Sequence, residues 1–352
     1  MSARKSTMRK STMRKSLNLA LQGGGAHGAF TWGVLDALLE DDRIDIRAIS
    51  GSSAGAMNAV ALAEGMSEGG REGAREQLRA FWTRISDGAR YSPIQRTLAD
   101  RLFGLWDIEQ TPGFLWFEWM TRVASPYETN PLDLNPLREV LQAEIDFTKV
   151  RACSQTQLFI AATNVHTGRV TIFDQRTLTA EHVLASACLP SLFQAIEIDG
   201  VPYWDGGYTG NPALFPLFQA NDSRDLLIVQ ITRMIRKELP KTARAIENRL
   251  NEITFNAPLL AEYRAIEFVQ RLLEENRIPA DRYRSLLLHR IDADKALGDL
   301  SASSKVNAEK GFIELLFTRG RKAGTSWLAK NFDAIGREST FDIAALLRSA
   351  KG

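Results

Sequence analysis

Two short segments far apart in the chain carry residue types able to act together: Gly51-Ser52-Ser53-Ala54-Gly55 and Asp205-Gly206-Gly207. The first sets a hydroxyl between glycines, and the second sets a carboxylate on a tight turn. A third segment, Gly23-Gly24-Gly25-Ala26-His27-Gly28, supplies backbone N–H groups unobstructed by side chains. A serine, a base and amide donors are the parts of nucleophilic acyl hydrolysis, in which attack, proton removal and oxyanion stabilisation must coincide. The small residues of Gly-x-Ser-x-Gly let neighbouring backbone close around a turn that lifts Ser53 Oγ clear of its strand. A helix starting near Ala54 would then aim amides and its positive dipole end at the developing charge.

The glycine segment has a second reading. Gly23-x-Gly25-x-x-Gly28 satisfies the dinucleotide-binding pattern, follows a strand-like run and opens a helix, and Asp45 stands about 20 residues further on. A nucleotide role leaves the Ser53 turn unexplained, whereas an oxyanion role explains both. No Gly-Lys-Ser or Gly-Lys-Thr completes a phosphate-binding loop. Nothing in the sequence places any of the four histidines, His27, His166, His182 and His289, as a link between Ser53 and a carboxylate. A Ser53–Asp205 dyad therefore needs fewer assumptions than a triad, and His182 reads as a structural residue on a helix.

The elements that must position these residues follow from hydrophobic pattern. Residues 17–22 read as a core strand, 28–40 as a helix, 44–49 as a second strand and 54–64 as a small-residue helix. Both functional turns thus lie at strand ends, in the strand–helix–strand–helix order of a mostly parallel sheet covered by helices. Further strands are expected over 158–163, 170–173, 226–231 and 285–290, with a helix over 180–188 stopped by Pro190, and the Asp205 turn falls among these elements after Ile196-Glu197-Ile198. Residues 89–137 interrupt the pattern with Trp106, Trp116, Trp119 and several prolines. They read as an insertion serving as a lid or acyl-chain pocket, or filling a satellite core. Residues 236–275 and 300–349 read as surface and packing helices.

With 352 residues, 44% of them apolar, the chain can bury a large core without disulfides. Its two cysteines, Cys153 and Cys188, fit a reducing compartment. A net charge of +2 says little about nucleic acid, but the lack of a basic stripe interleaved with aromatics argues against it as a partner. Residues 1–16 hold six basic residues, no acid and a tandem Ser-Thr-Met-Arg-Lys, as in a flexible arm that an anionic membrane surface attracts or a merely solubilising start. No apolar run reaches the roughly 20 residues of a membrane span, and no signal peptide is evident, so a cytoplasmic or peripheral membrane protein is expected. Asp292 and Asp294 read as a solvated turn or helix start, with no metal or other cofactor expected. Nothing in the pattern sets an oligomeric state.

In order and approximate spacing over about residues 17–235, four blocks resemble those of the patatin-like phospholipases, serine acyl hydrolases with a Ser–Asp dyad. They are Gly23 to Gly28, Gly51 to Gly55, Ala185-Ser186-Ala187-Cys188-Leu189-Pro190, and Asp205 to Gly207. The resemblance implies a three-layer α/β fold with a mostly parallel central sheet flanked by helices. It implies Ser53 as nucleophile, Asp205 as general base, and an oxyanion hole at Gly23, Gly24 and Gly25, with Gly24 and Gly25 the foremost donors. Gly51, Gly55, Gly206 and Gly207 would shape the turns, while His27 stands where the family often has an aliphatic residue or arginine. The implied substrate is a fatty-acyl ester of a phospholipid, lysophospholipid or neutral lipid. A soluble carboxylesterase on other esters, or a catalytically silent lipid- or nucleotide-binding module, are the alternatives. The expected organisation is an arm over 1–16, a catalytic domain over 17–300 with its insertion, and a helical extension over 301–352 packed on that domain.

Overall fold

Apolar runs that end in glycine turns become the strands of one sheet. The computed structural model describes residues 14–91, 95, 96, 100, 106, 108, 109 and 111–349. Its strands are β1 (Lys15–Leu21), β2 (Ile44–Gly51), β3 (Gln157–Asn164), β4 (Val170–Asp174), β5 (Ile196–Ile198), β6 (Val201–Asp205), β7 (Asp225–Gln230) and β8 (Leu287–Asp292). They run in the order β5-β6-β3-β2-β1-β7-β8, with β4 also paired to β3. The β1–β2, β1–β7, β2–β3 and β7–β8 pairs are parallel, and the β3–β4, β3–β6 and β5–β6 pairs antiparallel.

The period-two alternation of the strands divides the core. Leu19, Leu21, Leu227 and Val229 join one apolar cluster, while Ala20, Leu226 and Ile228 join the other. β7 is buried along its whole length, as a parallel strand covered on both faces must be. Helices supply the covers: α1 (Gly28–Glu40), α2 (Ala54–Gly88), α3 (Pro112–Val123), α4 (Pro126–Thr129), α5 (Pro136–Glu144), α6 (Phe147–Ala152), α7 (Ala180–Ser186), α8 (Ala243–Glu274), α9 (Lys310–Asn331) and α10 (Ile343–Ser349). Residues of α1, α2 and α9 fill the first cluster, and residues of α8 and α10 the second. The result is a three-layer α/β arrangement.

Register brings the functional turns to one rim. Leu21 stands opposite Gly51 of β2 and Val229 of β7. On β3, Ile160 stands opposite Gly51 and Ala162 opposite Asp205. The chain leaving β1 enters the glycine segment, the chain leaving β2 reaches Ser53, and β6 ends on Asp205.

Several elements depart from the sequence expectations. β1 takes in Lys15 and Ser16 of the basic arm, because Lys15 pairs with Ile44 and its Nζ donates to the carbonyls of Phe332 at 2.7 Å and Ile335 at 3.0 Å. The arm up to residue 13 lies outside the described residues. α2 runs well past 64, breaks at Gly69 and Gly70, and folds back so closely that a Cβ on Gly65 would lie 2.2 Å from the Gly73 carbonyl oxygen. Polar Ser67-Glu68-Gly69-Gly70 looks like a stop, yet the returning arm buries Ala74, Leu78 and Phe81 and donates from Trp82 Nε1 to Asn58 Oδ1 at 2.9 Å. The last strand is shifted to 287–292, which leaves Asp294 half-buried instead of solvated. α7 ends at Ser186, two residues earlier than expected.

The insertion divides its aromatics between two environments. Trp106 packs on Phe312 with ring centroids 5.4 Å apart, under the Arg96 guanidinium. Trp116 and Trp119 on α3 are 58% and 59% exposed. Residues 92–94, 97–99, 101–105, 107 and 110 of this segment lie outside the described residues.

Candidate active site

Ser53 sits between β2 and α2 with φ 53° and ψ −122°. That conformation costs a non-glycine residue about 1–3 kcal/mol and persists only where the surroundings enforce it. The enforcement is visible: the Ser53 N–H donates to Ser186 Oγ at 2.9 Å, and Ser186 Oγ donates in turn to the Ala161 carbonyl at 2.6 Å. A Cβ on Gly55 would lie 2.2 Å from the Leu21 carbonyl oxygen, and one on Gly51 would lie 2.7 Å from the Gly55 carbonyl. Both glycines are therefore steric requirements of the turn. α2 starts at Ala54, so the positive end of its first arm points at the turn.

The glycine segment abuts the serine. A Cβ on Gly23 would meet Ser53 Cβ at 2.7 Å, and Gly25 has φ 59° with the Lys305 carbonyl oxygen 2.4 Å from its would-be Cβ. The structure departs from the sequence expectation at Gly23, whose N–H is taken by Asn211 Oδ1 at 2.7 Å and so does not face an oxyanion. The N–H groups of Gly24, Gly25 and Ala54 have no partner among the described residues. Gly23 supplies proximity; the other three retain free donors.

Asp205 is 1% exposed at the end of β6. Its N–H donates to the Cys188 carbonyl at 2.8 Å, and its Oδ1 accepts the Gly207 N–H at 2.7 Å. Oδ2 is buried without a formed hydrogen bond. Burial pushes the carboxyl from 3.8 up to about 6, against the opposing pull of the Gly207 N–H and the Ser53 hydroxyl. Ser53 thus faces a carboxylate that is ionised at neutral pH yet more basic than an ordinary aspartate. Gly206 and Gly207 are again steric requirements, since their Cβ atoms would lie 2.1 Å from the Ala161 carbonyl oxygen and 2.4 Å from the Phe255 ring.

Three supporting residues escaped sequence reasoning. Gln22 Oε1 accepts the N–H groups of Ile231 at 2.8 Å and Thr232 at 2.7 Å, while its Nε2 donates to Asn256 Oδ1 at 3.0 Å. Asn211 joins the glycine segment to α8 by donating from Nδ2 to the Phe255 carbonyl at 3.1 Å. Ser186 holds the Ser53 backbone. Its place inside the third sequence block was a signal, but the hydrogen bonds are tertiary and have no local signature.

The four histidines serve elsewhere. His27 Nε2 lies 2.7 Å from Ser304 Oγ, His289 Nε2 lies 3.0 Å from Asp225 Oδ1, and His182 Nδ1 caps its own helix at Thr179. His166 stands on the turn after β3. No histidine hydrogen-bonds Ser53 or Asp205 among the described residues. The Cys188 thiol is pushed up to about 12 by burial, which makes it a poor nucleophile. Asp45 pairs with Ser16 at the beginning of β2, whereas the glycine segment follows the end of β1. At about 3.3 Å per residue the sheet separates them, so the dinucleotide reading fails on geometry.

The family model of the patatin-like phospholipases matches residues 19–218. Among solved structures, the chain is similar to VipD from Legionella pneumophila, at 15% identity over 89% of this chain and 67% of that one, with a TM-score of 0.37. It is also similar to the type III effector protein ExoU, at 17% identity over 91% of this chain and 54% of that one, with a TM-score of 0.35. In the complex of ExoU with SpcU from Pseudomonas aeruginosa the corresponding values are 16%, 89%, 53% and 0.29. The chain thus spans about half the length of ExoU. No curated protein matches it.

Proposed function

We propose that this chain, which belongs to the patatin-like phospholipase family, uses Ser53 as the nucleophile and Asp205 as the base of its catalytic dyad. The family makes it a lipid acyl hydrolase with a serine and an aspartate at its centre. The observation that carries the residue assignment is the Asp205 carboxylate, buried with Oδ2 unpartnered and the Ser53 hydroxyl before it.

In the first step Asp205 takes the Ser53 proton as Oγ attacks the ester carbonyl. The negative charge moves to the carbonyl oxygen, and the N–H groups of Gly24, Gly25 and Ala54 are the donors offered to it. Collapse returns the proton to the departing alcohol or lysolipid and leaves an acyl-serine. Water, deprotonated by the same aspartate, then releases the fatty acid. A carboxyl titrating at about 6 suits this work, since it is mostly ionised at neutral pH and loses less driving force as a base than one at 3.8.

A lipid surface is the proposed source of substrate. Leu115, Trp116, Trp119 and Val123 on α3 and Ile246, Leu250 and Ile253 on α8 are exposed. The two helices are tied by Arg244–Glu118 at 2.5 Å and by Arg122–Glu247. The same α8 places Phe255 against Gly207, so this helix borders the site. Such a patch, with two tryptophans, favours an interfacial hydrolase over one acting on soluble esters. Among the described residues no helix is long and apolar enough to cross a membrane.

Covalent labelling tests the assignment. A fluorophosphonate should add to the wild-type chain once, at Ser53, and not to Ser53→Ala; labelling at another serine in both proteins would refute the nucleophile.

A further inference from the structure

On the other side of the glycine segment lies a small cleft that the acyl-transfer chemistry does not use. It opens to about 40 Å3, and its charged and polar lining includes Arg233, Arg236 and Lys305, the carboxylates Glu252 and Asp294, and His27 and Thr232. Ser53 and Asp205 do not line it. The size suits a single tetrahedral oxyanion and excludes an acyl chain.

Its polar groups are incompletely satisfied. Thr232 is 2% exposed and His27 5% exposed, and Thr232 Oγ1 and His27 Nδ1 have no hydrogen-bond partner. The half-buried Lys305 ammonium and Arg233 guanidinium form no ion pair or hydrogen bond among the described residues. Burial lowers the Lys305 pKa and the Glu252 carboxylate opposes that shift, so the ammonium has a carboxylate nearby but no counterion in ion-pair contact. The carboxylates present do not supply one. Glu252 is held by Arg236 at 2.7 Å and by Arg249 at 3.1 Å, and Asp294 faces Arg233 and Arg290. The lining is cationic on balance, and buried polar atoms without partners mark a place where partners are supplied from outside.

The histidine specifies the ligand further. Ser304 Oγ donates its one hydrogen to the Ser301 carbonyl at 2.6 Å, so at 2.7 Å it must accept from His27 Nε2–H. Burial and Lys305 hold the imidazole pKa down at about 3, hence neutral, which leaves Nδ1 as a bare acceptor. A fitting ligand is anionic toward Lys305, Arg233 and Thr232 yet offers an O–H to His27.

We propose that this cleft binds a phosphate that keeps at least one O–H, either free or as the phosphomonoester headgroup of a lipid. Its wall carries the Lys305 backbone that presses on Gly25, so an occupant would brace the segment bearing the free amides. The proposal is independent of the hydrolytic assignment.

The test uses the full chain carrying Ser53→Ala, so that turnover plays no part, at a fixed pH of about 6.5. Calorimetric titration with inorganic phosphate should give saturable one-site binding. Sulfate, which has no O–H to offer, should bind at least about tenfold more weakly. Lys305→Met and Arg233→Gln should each weaken phosphate binding at least about tenfold, and Lys305→Arg should retain it. Should Lys305→Met fail to fold, Arg233→Gln carries the same expectation. In the second arm, Lys305-dependent flotation with phosphatidate vesicles but not phosphatidylcholine vesicles assigns the lipid headgroup, and phosphate binding without that preference assigns the free ion. Absence of phosphate binding in both arms, or binding indifferent to Arg233 and Lys305, overturns the proposal. Sulfate binding as tight as phosphate overturns the protonated ligand.

Discussion

Asp205 works against stability while serving the proposed chemistry. Its folded-state pKa of about 6 lies above the ordinary 3.8, so the stability it contributes is complete below 3.8 and lost as pH rises through 6. The difference corresponds to about 3 kcal/mol of destabilisation at neutral pH. Asp205→Asn should therefore raise the melting temperature at pH 7.5, with the gain vanishing near pH 4, while turnover falls by roughly 10³-fold or more. A melting temperature unchanged at both pH values would show that Asp205 is not strained by burial. In the wild type, kcat/KM should fall about tenfold per pH unit below pH 6 and level off above it. A profile flat across this range would remove Asp205 as the base. Ser186 bears on the other half of the dyad. Ser186→Ala leaves the Ser53 N–H and the Ala161 carbonyl without their shared partner, which should cost about 1–3 kcal/mol of stability and depress kcat more than it raises KM. A change in KM alone would deny that Ser186 holds the nucleophile in place.

At the scale of elements, the tightest backbone approach at any glycine among the described residues joins the first helix to one near the end of the chain. A Cβ on Gly320 of α9 would lie 1.9 Å from the Phe30 carbonyl oxygen of α1, and one on Gly33 of α1 would lie 2.1 Å from the Phe317 carbonyl oxygen. Arg321 reaches back from α9 to Asp36 and Glu40, and Arg75 of α2 joins the same Asp36 at 2.9 Å. We propose on this basis that residues 301–352 are a structural part of the catalytic unit, because α1 directly follows the glycine segment. Gly320→Leu should destabilise the chain by at least about 3 kcal/mol, read in a urea unfolding curve. An unchanged midpoint would separate the two helices energetically. This packing was hidden in the sequence, since Gly320 and Gly324 look like ordinary helix-weakening residues until the partner helix is present. The turns around Ser53 and Asp205 were legible for the opposite reason: their glycines answer to local crowding within a few residues. The hairpin inside α2 was misread because Gly69 and Gly70 stop a helix locally, while Trp82 and Asn58 restore its return by tertiary contact.

Across the whole molecule, the proposed dyad stands at the rim of the sheet, and α3 and α8 carry exposed apolar residues. The parallel sheet could be read from alternating apolar runs and turns, and the family from four short blocks. The exposure of Trp116 and Trp119 could not, because a tryptophan in a helix has no sequence mark of whether a neighbour covers it. Replacing both by serine should weaken sedimentation with phospholipid vesicles several-fold while leaving hydrolysis of a dispersed short-chain ester near its original rate. Equal loss on both substrates would instead give these residues a structural role. The most direct measurement of the central claim is fatty-acid release from phospholipid vesicles by the wild-type chain, Ser53→Ala and Asp205→Asn, each checked for folding. Release by the wild type that drops at least about 10³-fold in both variants is the expected result. Release that persists in either folded variant would contradict the dyad.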